Sequence, residues 1–314
     1  YQQAYEVFLE KTDKYIEELN RLAESDPSAL RNLKAPTADY SRVKAMYQRI
    51  VDEFPTSEYA DDALYNIGFL TSESNTNVQK ANANRIFETL VSIYPESDYT
   101  LNALRRIAEY YFMPPANNLE KAAAIYLRIV NEFPNSPYYQ ESLYKLGWTY
   151  YRMSDLPTSV EHFAMALDVN FSDRKFHGED ATVLDIASES INYIGVCYAV
   201  ESTEWAGAGI DNMAVWLDEH PERKLNYGRE LIMQLGEIFR NQIGRYGPAV
   251  EVYRKYLDVF PLDPQTPQVM QNIVEIYQQG EIYDPPQAHT EKINYFNMLN
   301  PDSDWWAANS DSSL

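Results

Sequence analysis

Residues 133–169 read FPNSPYYQESLYKLGWTYYRMSDLPTSVEHFAMALDV, and this stretch decides the fold. Leu143, Leu146, Gly147 and Tyr150 share one helical face, and Ser159, Phe163 and Ala166 share another. The prolines at either end of the pair mark where helices stop and turn. The first pattern recurs as Leu64-Ile67-Gly68, Leu104-Ile107-Ala108-Tyr111 and Ile191-Ile194-Gly195-Tyr198, then as Ile232-Leu235-Gly236-Phe239 and Met270-Ile273-Val274-Tyr277. Second helical stretches close on proline at Pro55, Pro95, Pro134, Pro221, Pro261 and Pro301. The intervals are 40, 39, 87, 40 and 40 residues, and a degenerate Phe171-Ser172 splits the long one into 38 and 49. A period near 40 with one helix pair per unit predicts an all-α solenoid, a right-handed superhelix of about fourteen helices.

Composition agrees. Of 314 residues 45 % are hydrophobic, ordinary for a folded chain. Eleven glycines and no alternating apolar/polar runs argue against sheets. The 26 tyrosines, mostly at helical spacing, predict aromatic packing with a polar edge. A net charge of −21 repels phosphate backbones and anionic lipid, so no nucleic-acid partner is expected. Acidic helix faces also serve simply to keep a protein soluble. The lone Cys197 allows no internal disulfide and reads as a small buried residue. No stretch reaches the roughly 20 apolar residues of a membrane span. The chain starts at Tyr1 rather than Met, which leaves room for a leader or lipid anchor outside it.

Two domains are expected: residues 1–37 as an N-terminal helix and linker that cap the array, and 38–314 as the solenoid, six helix pairs and a partial last unit. Trp305-Trp306 open what reads as a further first helix. Polar runs such as Thr56-Ser57-Glu58, Glu96-Ser97-Asp98 and Asn135-Ser136-Pro137 read as helix caps. A mid-helix glycine costs about 1 kcal/mol against alanine. It is accepted where the partner helix comes close, and that helix carries its own small residue at Ala83, Ala122 or Ala249.

The spacing of Leu143-Leu146-Gly147-Tyr150 with Ser159-Phe163-Ala166 resembles the tetratricopeptide repeat (TPR). Ala122-Tyr126-Ile129-Pro134 and Ala249-Tyr253-Tyr256-Pro261 match its second half. The resemblance covers about residues 38–301, with a longer period than the family's usual 34 and a poor unit at Gly209-Met213-Trp216-Pro221. The boundary style Phe-Pro-x-Ser-x-Tyr, at Phe54 and Phe133, is similar to the repeats of bacterial envelope proteins such as BamD and the Tol–Pal coordinator. That likeness implies a periplasmic scaffold, associated with the outer membrane; a cytoplasmic setting stays open.

No catalytic constellation stands out. His162, His177, His220 and His289 lie far apart, and no phosphate loop or nucleophile elbow occurs. His177-Gly178-Glu179-Asp180, in the long insert 170–182, reads as a solvated polar loop in preference to a cation site. No cofactor, metal or enzymatic activity is expected. The TPR resemblance places groove-facing residues three before, one after and four after the packing glycine. These include Tyr65, Phe69, Arg105, Phe112, Tyr144, Trp148 and Tyr151, an aromatic-rich set. The same rule puts polar Gln271, Glu275 and Gln278 in the last unit. The aromatic positions are expected to anchor partner proteins in a larger complex. Close packing between units would bury the same rings instead. A carbohydrate- or peptidoglycan-binding solenoid and an accessory domain of an enzyme complex are the alternatives.

Overall fold

The computed structural model describes residues 2–25, 33, 39–73, 76–172, 186–279 and 282–310. Among these, fifteen α-helices and one π-helical turn occur, and no strand. The chain is an all-α solenoid of helix pairs, arranged in two compact units, Tyr1–Ile129 and Val130–Leu314. The His177 motif and most of the linker 26–38 lie outside the described residues.

The first unit holds α1 (Gln2–Ser25), α2 (Ser41–Glu53), α3 (Ala60–Ser72), α4 (Asn77–Ile93), α5 (Thr100–Phe112) and most of α6 (Leu119–Glu132). Both expected opening helices are present, and α2 buries no residue fully. Its core forms around Leu64, Phe87, Leu90 and Ile107.

In three of the pairs a ring is seated on a glycine of the first helix. A Cβ added at Gly68 would lie 2.7 Å from the Phe87 ring. The same atom at Gly147 would meet Phe163 at 2.6 Å, and at Gly236 would meet Tyr253 at 2.5 Å. The expected close approach is therefore real, but a ring fills it rather than partner backbone. Each ring stands four residues after the small residue of the second helix, Ala83, Ser159 or Ala249, so both face the same way. A side chain also reaches the first helix's backbone, where Ser159 Oγ donates to the Gly147 carbonyl at 2.9 Å.

The unit boundaries share one turn. The Phe54 carbonyl accepts from the Ser57 N–H (3.0 Å), and the Ser57 carbonyl from Ala60 (3.2 Å). The same relay runs through Tyr94, Ser97 and Thr100, through Phe133, Ser136 and Tyr139, and through Phe260, Asp263 and Thr266. The polar runs thus act through the turn, since the N-caps of α3 and α5 are Tyr59 and Tyr99, with no side-chain cap bond. Side chains then latch the turn to the preceding first helix, seven residues before its glycine. Ser97 Oγ donates to Asp61 Oδ2 at 2.6 Å, and Asp263 pairs with Arg229 in that register.

The second unit continues with α7 (Tyr139–Arg152), α8 (Leu156–Phe171), α9 (Ile186–Tyr198), α10 (Ile210–Glu219) and α11 (Pro221–Glu237). After the π-helical turn Ile238–Ile243 follow α12 (Tyr246–Val259), α13 (Thr266–Tyr277), α14 (Pro285–Met298) and α15 (Asp304–Asn309). The poor unit is irregular in space as well. The space at Gly195 is taken by Ile238, with the Leu235 backbone nitrogen 3.7 Å away, so α9 packs on α11 rather than on α10. Arg223 ties α11 back to α8, with bonds of 2.8 and 2.9 Å to Glu161 and 3.0 Å to Asp168. The last helix begins at Asp304. Trp305 is buried and donates from Nε1 to the Asp263 carbonyl at 2.8 Å, which docks α15 onto the preceding boundary turn.

Candidate functional site

The seven expected groove residues fall into two groups, one in each unit. In the first unit Tyr65 is half-buried and stacks on Tyr99, ring centroids 4.7 Å apart. Phe69 is half-buried beneath the Arg106 guanidinium, 5.1 Å from its ring centre. Arg105 is half-buried and has a partner. Phe112 is buried at 9 % exposure, so its ring is core rather than surface.

In the second unit Tyr144 is also buried, at 3 % exposure. Its hydroxyl donates to Glu189 Oε2 on α9. Burial, with Glu189 beside it, pushes the Tyr144 phenol well above its ordinary value. Trp148 does not stand out into a groove. It is half-buried, 4.1 Å from Tyr193, 5.9 Å from Tyr151 and 6.5 Å from Phe163. Tyr151 and Tyr193, also half-buried, lie 5.7 Å apart and complete a three-ring patch across α7 and α9. Sequence spacing missed Tyr193, because it sits two before Gly195 and outside the groove rule.

The aromatic-to-polar gradient along the first helices has a packing cause. Where the seated ring is tyrosine, the residue after the small one is glutamate and accepts its phenol: Tyr126 to Glu109 at 2.9 Å, Tyr253 to Glu237 at 2.7 Å. Where the ring is Phe87 or Phe163, that position holds Phe69 or Trp148. A buried phenol needs an acceptor and a phenyl does not. The later polar positions are likewise joined to each other. Gln234 donates to Asn192 (2.9 Å), Arg240 to Glu275 (2.7 Å) and Gln271 to Glu275 (2.9 Å).

Burial pushes the Cys197 thiol up to about 12, so it stays protonated and inert in the fold. His162 and His220 each bond the carbonyl four residues back, at 2.8 and 2.7 Å. Among the described residues no cluster of three metal-ligating side chains occurs, and no helix is long and apolar enough to cross a membrane. A polar groove of about 750 Å³ lies beside Arg223, lined by Glu161, Asp168, Glu219, His220 and Glu222. Arg223 is already saturated by two carboxylates there.

Residues 102–136, which span α5, α6 and the turn at Ser136, match the family model of the tetratricopeptide repeat. Among solved structures, the chain is similar to a tetratricopeptide repeat protein from Parabacteroides merdae. Identity is 14 %, with 93 % of this chain and 95 % of that one covered and a TM-score of 0.41. It is also similar to YrrB, described as a TPR protein with an unusual peptide-binding site. There identity is 13 %, with 68 % and 92 % covered and a TM-score of 0.38. A third is BtubC from P. vanneervenii, at 14 % identity, 87 % and 91 % coverage and a TM-score of 0.38. No curated protein sequence matches the chain. The helix pairs together with the family match make the fold a solenoid of TPR-like pairs, a type that suggests protein–protein interaction.

Proposed function

We propose that this protein is a non-enzymatic scaffold that holds partner polypeptides, and that the α7–α9 patch is one of its contact points. The observation that carries this reading is the clustering of Trp148, Tyr151 and Tyr193, each half-buried, from two first helices. A ring left partly in water gains on desolvation when a partner covers it, and aromatic anchors of this kind dominate interfaces. In the first unit Phe69, under Arg106, is the corresponding candidate. The same proposal puts the assembly in a bacterial envelope, periplasmic and outer-membrane-associated, supported by the likeness of the boundary turns at Phe54 and Phe133 to those of envelope repeats.

The test is co-purification of the tagged full-length protein with its partners, at fixed stoichiometry, for the parent, Trp148→Ala and Phe69→Ala. Thermal melts would establish that each variant folds. Folded Trp148→Ala should lose partner; undiminished recovery would move the interface away from α7. Fractionation of the source cells checks the envelope assignment.

A further inference from the structure

We infer that the α7–α9 patch takes a cationic side chain of its partner, an arginine or lysine flanked by apolar residues. This deepens the scaffold reading and rests on it. The patch is aromatic on top and anionic at its sides. Trp148, Tyr151 and Tyr193 form the rings, and the Tyr144 hydroxyl holds Glu189 in place beside them. Burial raises the phenols of Tyr193 and Tyr151, with smaller contributions from Glu189 on Tyr193 and from Glu204, exposed in the loop after α9, on Tyr151.

Among the described residues neither Glu189 nor Glu204 has a cationic partner. Nearby cations are committed elsewhere: Lys145 and Arg152 of α7 each have a partner, and Arg245 pairs with Glu201. Any polypeptide that covers these rings also takes Glu189, already half-buried, further out of water. An anion desolvated without a counter-charge is strongly unfavourable, so a neutral or acidic occupant is rejected. A guanidinium or ammonium meets both demands. It lies over the ring faces, where the aromatic quadrupole attracts it, and it neutralises the carboxylate beside them. The net charge of −21 adds long-range attraction for the same class of partner.

The experiment pans a phage-displayed random peptide library on the whole chain near physiological ionic strength, where diffuse attraction is screened. Affinities of the recovered peptides are then measured by fluorescence anisotropy. The expected result is enrichment of sequences with one basic residue between apolar ones, and a loss of roughly tenfold when that residue becomes glutamine. Glu189→Gln keeps an acceptor for Tyr144 and should weaken binding comparably. Glu251→Gln, which removes an equal charge from the exposed face of α12, should leave it unchanged. Equal effects of Glu189→Gln and Glu251→Gln would reduce the attraction to a diffuse one and overturn the inference. Apolar peptides without a basic residue, lost in folded Trp148→Ala, would overturn it too while leaving the scaffold reading standing. Peptide binding indifferent to Trp148→Ala would overturn the inference and move the scaffold's interface away from α7.

Discussion

The residue that organises three of the pairs is a glycine whose missing side chain is another residue's seat. At Gly147 a methyl would lie 2.6–2.7 Å from three atoms of the Phe163 ring, which is fully buried and cannot swing aside. At Gly228, in α11, the same methyl would meet Leu217 and Lys224 at an ordinary 3.4–3.5 Å. Helix propensity favours alanine at both sites by about 1 kcal/mol. Overpacking opposes it only at Gly147, by roughly 1–3 kcal/mol. Gly147→Ala should therefore melt below the parent, Gly147→Leu lower still, and Gly228→Ala at or above it. A Gly147→Ala melt equal to that of Gly228→Ala would show that Phe163 has room to move. The sequence marks both glycines alike as helical; the ring that distinguishes them belongs to a different helix.

At the scale of the element, the boundary turn does the work first assigned to helix caps. Its fourth residue must satisfy the turn and reach the preceding first helix. Ser97 does this with one hydroxyl, which donates to Asp61 and accepts from the Tyr99 N–H at 3.1 Å. Asp263 does it with a carboxylate that accepts from the Tyr256 phenol (2.9 Å) and the Gln265 N–H (2.8 Å) and pairs with Arg229. Between the two boundaries the latch has exchanged polarity, acid on the helix in one and acid on the turn in the other. Asp263 is 8 % exposed, so its removal strands the buried Tyr256 phenol. Asp263→Ala should cost about 1–3 kcal/mol. Ser97→Ala should cost nearer 1 kcal/mol, as one neutral bond does. Denaturant midpoints measure the difference. Hydrogen exchange should show the opening of Asp263→Ala concentrated at α13 and α15, which rest on this turn through Thr266 and Trp305.

At the scale of the whole molecule, tyrosine and acid are one system. Phenols of Tyr111, Tyr126, Tyr144, Tyr227, Tyr253 and Tyr256 all donate to carboxylates, so part of the acidic surplus is structural rather than solubilising. Burial raises the phenols of Tyr144, Tyr198, Tyr227, Tyr253 and Tyr256 above 10.0, and the Cys197 thiol from 9.0 to about 12. The native state therefore holds protons that the unfolded chain releases first. The stabilisation is complete below about pH 9 and falls as pH rises through the unfolded values towards the folded ones. Denaturant midpoints should be steady near pH 7–9 and fall steeply above it; a flat profile to pH 11 would mean these groups ionise freely in the fold. The period, the helix pairs, the boundary prolines and the all-α class are legible along the chain, because helix stripes and chain-breakers are local properties that recur every 40 residues or so. The tertiary structure alone decided which aromatics are core. Phe112 and Tyr144 obey the same spacing rule as Phe69 and Trp148, yet two are buried and two are half-open. It also brought Tyr193 and Glu189 to Trp148 from another helix, and turned α9 towards α11. Periodicity reports the face a residue occupies on its own helix. The helix that covers that face is chosen by packing between segments 40 to 60 residues apart, where no local pattern records the choice.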